Sequence, residues 1–121
     1  MFELTINDTV YEFNFGIGFV REINKTAQAD ISGMKGVKEE VGLSFAITKI
    51  ATGDVVALVD VLNLANKGKT PRVTQKALEE YIENEDTDID DLFDQVMGFF
   101  GKSNATKRQT KQILEAIKTE A

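Results

Sequence analysis

FELTINDTVYEFNF, residues Phe2 to Phe15, is the stretch on which the fold class turns. Phe2, Leu4 and Ile6 alternate with Glu3, Thr5 and Asn7, and Tyr11, Phe13 and Phe15 alternate with Glu12 and Asn14. A period of two is that of strands with one face buried. With Asn7-Asp8 as a two-residue loop, Ile6 faces Thr9, Leu4 faces Tyr11 and Phe2 faces Phe13. This β-hairpin gathers its aromatic and apolar side chains on one side, which marks them as core. Asp8 accepts a positive φ less readily than glycine would, so the pairing is better determined than the turn type.

Beyond Phe15 the period changes to that of helices. Gly16 and Gly18 end the strand and lead into a helix using Ile17, Val20, Ile23 and Ala27. The stretch from Gln28 to Glu40 loses periodicity, carries Gly33 and Gly36, and is expected to be a flexible connection. Leu43, Ile47, Ile50 and Ala51 recur at helical spacing. Gly53 follows as a C′ residue and Asp54 as a cap for a second stripe of Val55, Leu58, Val59, Leu62 and Ala65. Thr74 caps a helix with Leu78, Tyr81 and Ile82. Asp88 or Thr87 caps the next, where Ile89, Leu92, Phe93, Val96, Met97 and Phe100 share a face. Ser103-Asn104 restarts a last helix with Ile113, Leu114 and Ile117 on one face. The expected architecture is α+β: an N-terminal hairpin (1–15), a helical body (16–101, flexible over 28–40) and a basic C-terminal helix (102–121), all in one predominantly helical domain with about six helices.

Composition narrows the function. In 121 residues there is no cysteine and no histidine, so disulfides, thiolate chemistry and imidazole ligands or bases are excluded. An enzyme would have to work with carboxylates, amines and hydroxyls alone, and no pair of acids stands in a recognisable catalytic setting. Residues 1–101 carry 18 acidic and 9 basic side chains, whereas residues 102–121 carry 2 acidic and 5 basic ones. An acidic body repels phosphates and argues against nucleic-acid binding. Met1-Phe2-Glu3-Leu4 lacks the basic start of a signal peptide, and the apolar run from Val55 to Leu64 is broken by Asp60 and too short for a bilayer. A cytoplasmic protein without membrane contact is expected.

Three motif-like stretches do not hold up. Asp86-Thr87-Asp88-Ile89-Asp90 imitates the start of a calcium loop, but the required glycine and bidentate glutamate fall on Asp91 and Met97. The nine acids from Glu79 to Asp94 read as helix-capping and solubilising charge. Gly16-Ile17-Gly18 lacks the third glycine of a dinucleotide fingerprint, and Gly68-Lys69-Thr70 has Asn63 where a phosphate loop needs its first glycine. No metal or cofactor is expected. The residues singled out for protein contact are Phe93, Met97, Phe99 and Phe100, with Lys107 and Arg108 beyond them. The helical stripe takes Val96, Met97 and Phe100 inward and leaves Phe99 off the main face, either for a partner or packed beneath the last helix.

In order along the chain, Leu4-Thr5-Ile6-Asn7, Tyr11 to Gly16, Phe19 to Lys25, Gly53 to Leu58, Pro71 to Gln75, Tyr81-Ile82-Glu83, Asp88 to Asp94 and Lys102 to Lys107 resemble the tail assembly chaperones of long-tailed phages and prophages of Gram-positive bacteria. The resemblance covers nearly the whole chain and rests on the order of the pieces rather than on one motif. It departs at Asp8, where the family commonly has glycine, and over Gln28 to Glu40. The resemblance implies a non-enzymatic protein that coats the tape-measure protein in the host cytoplasm, helps recruit tail-tube subunits and is absent from the finished virion; the helix around Phe93, Met97, Phe99 and Phe100 is expected to serve client binding or self-association. It also implies a longer frameshifted form. The competing class is an acidic inhibitor that mimics DNA, which the acids from Glu79 to Asp94 permit and the basic tail opposes.

Overall fold

The computed structural model describes residues 2–31 and 33–120. Strands β1 (Phe2–Ile6) and β2 (Thr9–Phe13) pair antiparallel, with Phe2 opposite Phe13, Leu4 opposite Tyr11 and Ile6 opposite Thr9. Asn7 and Asp8 both take positive φ, 51° and 65°, as a type I′ turn requires. Asp8 therefore adopts the positive φ that glycine takes more readily. Helices α1 (Ile17–Asn24), α2 (Gly42–Ala51), α3 (Val55–Ala65), α4 (Gln75–Glu83), α5 (Ile89–Lys102) and α6 (Lys107–Glu120) follow. The fold is α+β with the expected hairpin and six helices.

The expected caps are in place. Gly53 sits at φ 87° past the end of α2, and the Asp54 carboxylate accepts from the Ala57 N–H at 3.1 Å. Thr74 Oγ1 caps α4 through the Ala77 N–H, and Asp88 caps α5 through the Asp91 N–H. Thr87, the other candidate cap, instead donates to the Tyr81 carbonyl at 2.6 Å, tying the α4–α5 turn to the preceding helix. Helix α6 starts three residues later than Ser103-Asn104 suggests, because Ser103 is occupied: its hydroxyl donates to the Phe15 carbonyl at 2.8 Å. This bond pins the end of α5 to the end of the hairpin.

The stretch expected to be flexible is built differently. Gln28–Ile31 (β3) and Met34–Glu40 (β4) form a second antiparallel hairpin, with a register shift at Asp30/Ile31; Ser32 lies outside the described residues. Every described residue of β4 is exposed, and β3 is at best half-buried. With neither face buried there is no pressure for apolar alternation, so no period-two signal exists to be read. The Val41 N–H closes its base on the Ala27 carbonyl at 2.9 Å.

Helix α2 is the hub, packing against α1, α3, α5 and α6. Its entry demands close approach: a Cβ on Gly42 would stand 1.7 Å from the Ile23 carbonyl oxygen. At the other side of the core six phenylalanines join the hairpin, α1 and α5. Phe15 meets Phe19 and Phe100 edge to face at 5.2 and 5.4 Å, and Phe2 packs against Phe13 at 5.6 Å. Phe19, not Ile17, is the inward residue of α1 beside Ile23; Ile17 is exposed. A buried amide, Asn66, binds hairpin to helices. Its Nδ2 donates to the Glu12 and Pro71 carbonyls at 2.9 and 3.3 Å, and its Oδ1 accepts from the Val73 N–H at 2.7 Å and from Arg72 at 2.9 Å.

Candidate protein-binding surfaces

The residues expected to meet a partner divide into two groups. Phe93 and Met97 are half-buried against the core, and Phe100 is wholly buried. Phe99 does leave the main face of α5, but neither toward solvent nor beneath the last helix. It stacks on Phe2 with ring centres 5.1 Å apart and planes 10° from parallel, and Phe15 lies 6.1 Å away. Lys102 Nζ stands 6.0 Å from the centre of the same ring. The hairpin, more than ninety residues away in sequence, supplies the cover that helical periodicity cannot foresee. Phe100 is closed to any partner in this fold, and Phe99 already has one.

Lys107 and Arg108 are exposed at the start of α6 and open onto a different surface. Helix α6 packs on α2 and α5 through its other side, where Thr106 and Thr110 are buried. Both threonine hydroxyls donate to the Phe100 carbonyl, at 2.6 and 3.3 Å, which fixes the rotation of α6 about its axis. Ser44 on α2 adds a bond to Gln109 at 3.2 Å. With that rotation set, Lys107, Lys111, Leu114 and Lys118 fall at i, i+4, i+7 and i+11 along one stripe. They line a groove of about 980 Å³ together with Gly101 and Ile117. Leu114 is 41% exposed there. The floor is aliphatic, and the rim carries four cations, Lys107, Arg108, Lys111 and Lys118, against one carboxylate, Glu115.

A second apolar surface was not foreseen. Val55 and Val56 at the start of α3 are exposed, Val56 by 68%, and Phe45 on α2 is exposed beside them. They border two shallow grooves, one of about 420 Å³ against α2 and one of about 240 Å³ against α4, which share Val56 and Asp60. The second is rimmed by Asp60, Glu79 and Glu83 around Val55, Val59 and Ile82. Partial desolvation beside the grooves pushes the largely exposed Asp60 carboxyl above the usual carboxylate range; Lys49 opposes this, while Asp54 and Glu79 add to it. A signal was present in the sequence. Helix α3 is apolar nearly all round, with Asp60 and Asn63 its only polar residues, so more than one face's worth of aliphatic surface has to go somewhere.

The acids between Glu79 and Asp94 mostly serve the helices that bear them. Asp88 caps α5, Asp90 and Asp91 stand in its first turn, and among the described residues the one ion pair they make is Glu80–Lys76 at 4.0 Å. Among the described residues no group of three acids could hold a metal ion, and no helix is long and apolar enough to cross a membrane.

No curated protein and no solved structure matches the chain significantly. The model of the family described as phage tail assembly chaperone protein, TAC, matches residues 3–115, from the first strand into the middle of α6. The chain belongs to the phage tail assembly chaperone family, a non-enzymatic class that acts in the host cell while tails are assembled.

Proposed function

We propose that this chaperone binds the tape-measure protein of its phage, keeps that protein soluble and releases it to tail-tube subunits, and that α6 provides the contact. The observation that carries the reading is the aliphatic groove on α6, with Leu114 exposed in it and a mainly basic rim of Lys107, Arg108, Lys111 and Lys118 beside Glu115. A long helical client exposes apolar faces that aggregate unless covered. A groove beside a rigidly held helix takes such a face as an amphipathic helix, and apolar contact supplies roughly 25 cal/mol per Å². The cationic rim favours client helices with acidic flanks and slows basic ones. The acidic remainder of the surface keeps coated complexes apart. In this reading Phe93, Met97 and Phe100 belong to the core and Phe99 to its stack on Phe2, rather than touching the client.

Coexpression with the tape-measure protein tests it. The wild-type chain should keep the client in the supernatant. Leu114→Asp, which puts a charge on the groove floor, should leave it in the pellet while the variant's own melting temperature is unchanged. If Leu114→Asp protects the client as well as wild type does, α6 is not the contact. If the wild-type chain itself gives no protection, the tape-measure protein is not the client.

A further inference from the structure

We propose that the face built by α2, α3 and α4 is a second docking surface, and that it takes a basic amphipathic helix of a partner protein other than this chain. Three large apolar side chains stand open on it: Phe45 on α2, and Val55 and Val56 on α3. They lie along two grooves that meet at Val56 and Asp60. The grooves are bordered by four carboxylates, Asp54, Asp60, Glu79 and Glu83, against one cation, Lys49.

Only one of these carboxylates serves the fold: Asp54 caps α3. The ion pairs among the described residues are Lys38–Asp30, Lys67–Glu22 and Lys76–Glu80, and none involves this rim. Glu79 meets only the neutral amide of Gln75, at 2.8 Å. Glu79 and Glu83 stand one turn apart on α4, where like charges repel. Glu83 is also the last residue of α4, at the negative end of the helix dipole, where a carboxylate is unfavourable. These charges therefore cost the free chain stability, and cations on a partner would turn the same field into attraction. The apolar floor asks for an apolar stripe and the acidic rim for lysine or arginine beside it, which together describe a basic amphipathic helix. Helix α3, with 11 residues, offers such a helix about 16 Å, or three turns, of contact. The α6 groove has the opposite charge balance and shares no residue with this face, so the inference does not rest on the client reading.

The test is fluorescence anisotropy of a labelled synthetic helix of leucine and lysine, with leucines at i, i+3, i+4 and i+7 and lysines flanking them, titrated with the whole chain. Two control peptides have the same composition in scrambled order, or glutamate in place of lysine. The amphipathic lysine peptide should bind, and more weakly as screening shortens from about 10 Å at 0.1 M salt to about 3 Å at 1 M. Both controls should bind at least about tenfold more weakly, a difference of about 1.4 kcal/mol. Two variants change exposed positions of the face: Glu79→Gln with Glu83→Gln, and Val56→Asp. The paired glutamine variant should lose about tenfold in affinity while its melting temperature holds or rises, because it removes a repulsion from the free chain. Val56→Asp should lose binding with its melt unchanged, and Leu114→Asp on α6 should bind as wild type does. The proposal is overturned if the lysine peptide does not bind, if the scrambled peptide binds equally, if either variant of this face binds as wild type does, or if Leu114→Asp abolishes binding. A lower melting temperature for the paired glutamine variant would also overturn it, by showing that the acids serve the fold. Sedimentation of the chain alone tests the remaining occupant: self-association abolished by the same pair would put a second copy on the face instead. Client solubility is measured separately, so failure of the α6 reading and failure of this one stay distinguishable.

Discussion

Replacing Asn66 tests what joins the N-terminal hairpin to the helical body. In Asn66→Ala the Val73 N–H, 2.7 Å from the amide oxygen in a buried setting, loses its acceptor. The Glu12 and Pro71 carbonyls lose their shared donor, and Arg72 loses one of its acceptors. Leaving one buried donor unsatisfied costs about 1–3 kcal/mol. The second set of broken bonds and the small void bring the expected total to roughly 3–5 kcal/mol, against a net stability of about 5–15 kcal/mol for a domain. At about 4 °C per kcal/mol for this size, the melting temperature should fall by roughly 12–20 °C. Asn66→Asp keeps the acceptor for Val73 and Arg72 but turns a second oxygen toward two carbonyl oxygens, so it should fall between alanine and wild type. Urea titrations followed by circular dichroism give both values. A loss below about 1 kcal/mol for alanine, or an aspartate variant as stable as wild type, would refute the clamp, leaving the 2.8 Å bond from the Asn14 N–H to the Ala65 carbonyl as the main tie.

Other outcomes follow from the same packing. Phe99→Ala should cost about 2 kcal/mol, roughly half the price of a fully buried phenylalanine, and a melt that does not move would mean that the stack on Phe2 contributes little. Gly42→Ala should destabilise by at least about 2 kcal/mol despite alanine's better helix propensity, because the new Cβ meets backbone; a rise in melting temperature would contradict the close approach to Ile23. Replacing residues 29–39 with a short glycine-serine linker should change stability by less than about 1 kcal/mol, since the described residues of the β3–β4 hairpin add nothing to the core and the Lys38–Asp30 ion pair is exposed. Asp60 binds its proton more tightly folded than unfolded, so stability should decline as pH rises from the ordinary carboxylate value near 3.8 through its raised folded value. Asp60→Asn should flatten that slope and stabilise the fold slightly at neutral pH, by well under about 1 kcal/mol for so accessible a group; a lower melting temperature would show that the carboxylate has a partner worth keeping.

What the sequence determined by itself is whatever depends on neighbours close in the chain. The register of β1 and β2 follows from alternation and a two-residue loop, and caps such as Asp54, Thr74 and Asp88 reach only three residues ahead. The order of short similar segments likewise carried the family, because it does not depend on how they pack. Contacts between distant segments left no such trace. Helical periodicity leaves Phe99 for a partner or for packing beneath the last helix, whereas it stacks on Phe2, and Asn66 reads locally as an ordinary end to α3 although Glu12 is one of its partners. The exposed β3–β4 hairpin was invisible for the opposite reason, since a strand pair without a buried face has no hydrophobic period. Tertiary structure alone decided which aliphatic residues were left over. Rotation of α6, set by two threonine hydroxyls on the Phe100 carbonyl, turned Leu114 outward between lysines, and α3, apolar nearly all round, had to leave Val55 and Val56 in the open. Periodicity names the face a helix is able to bury, but only the packing of the whole chain fixes which part of that face remains for a partner.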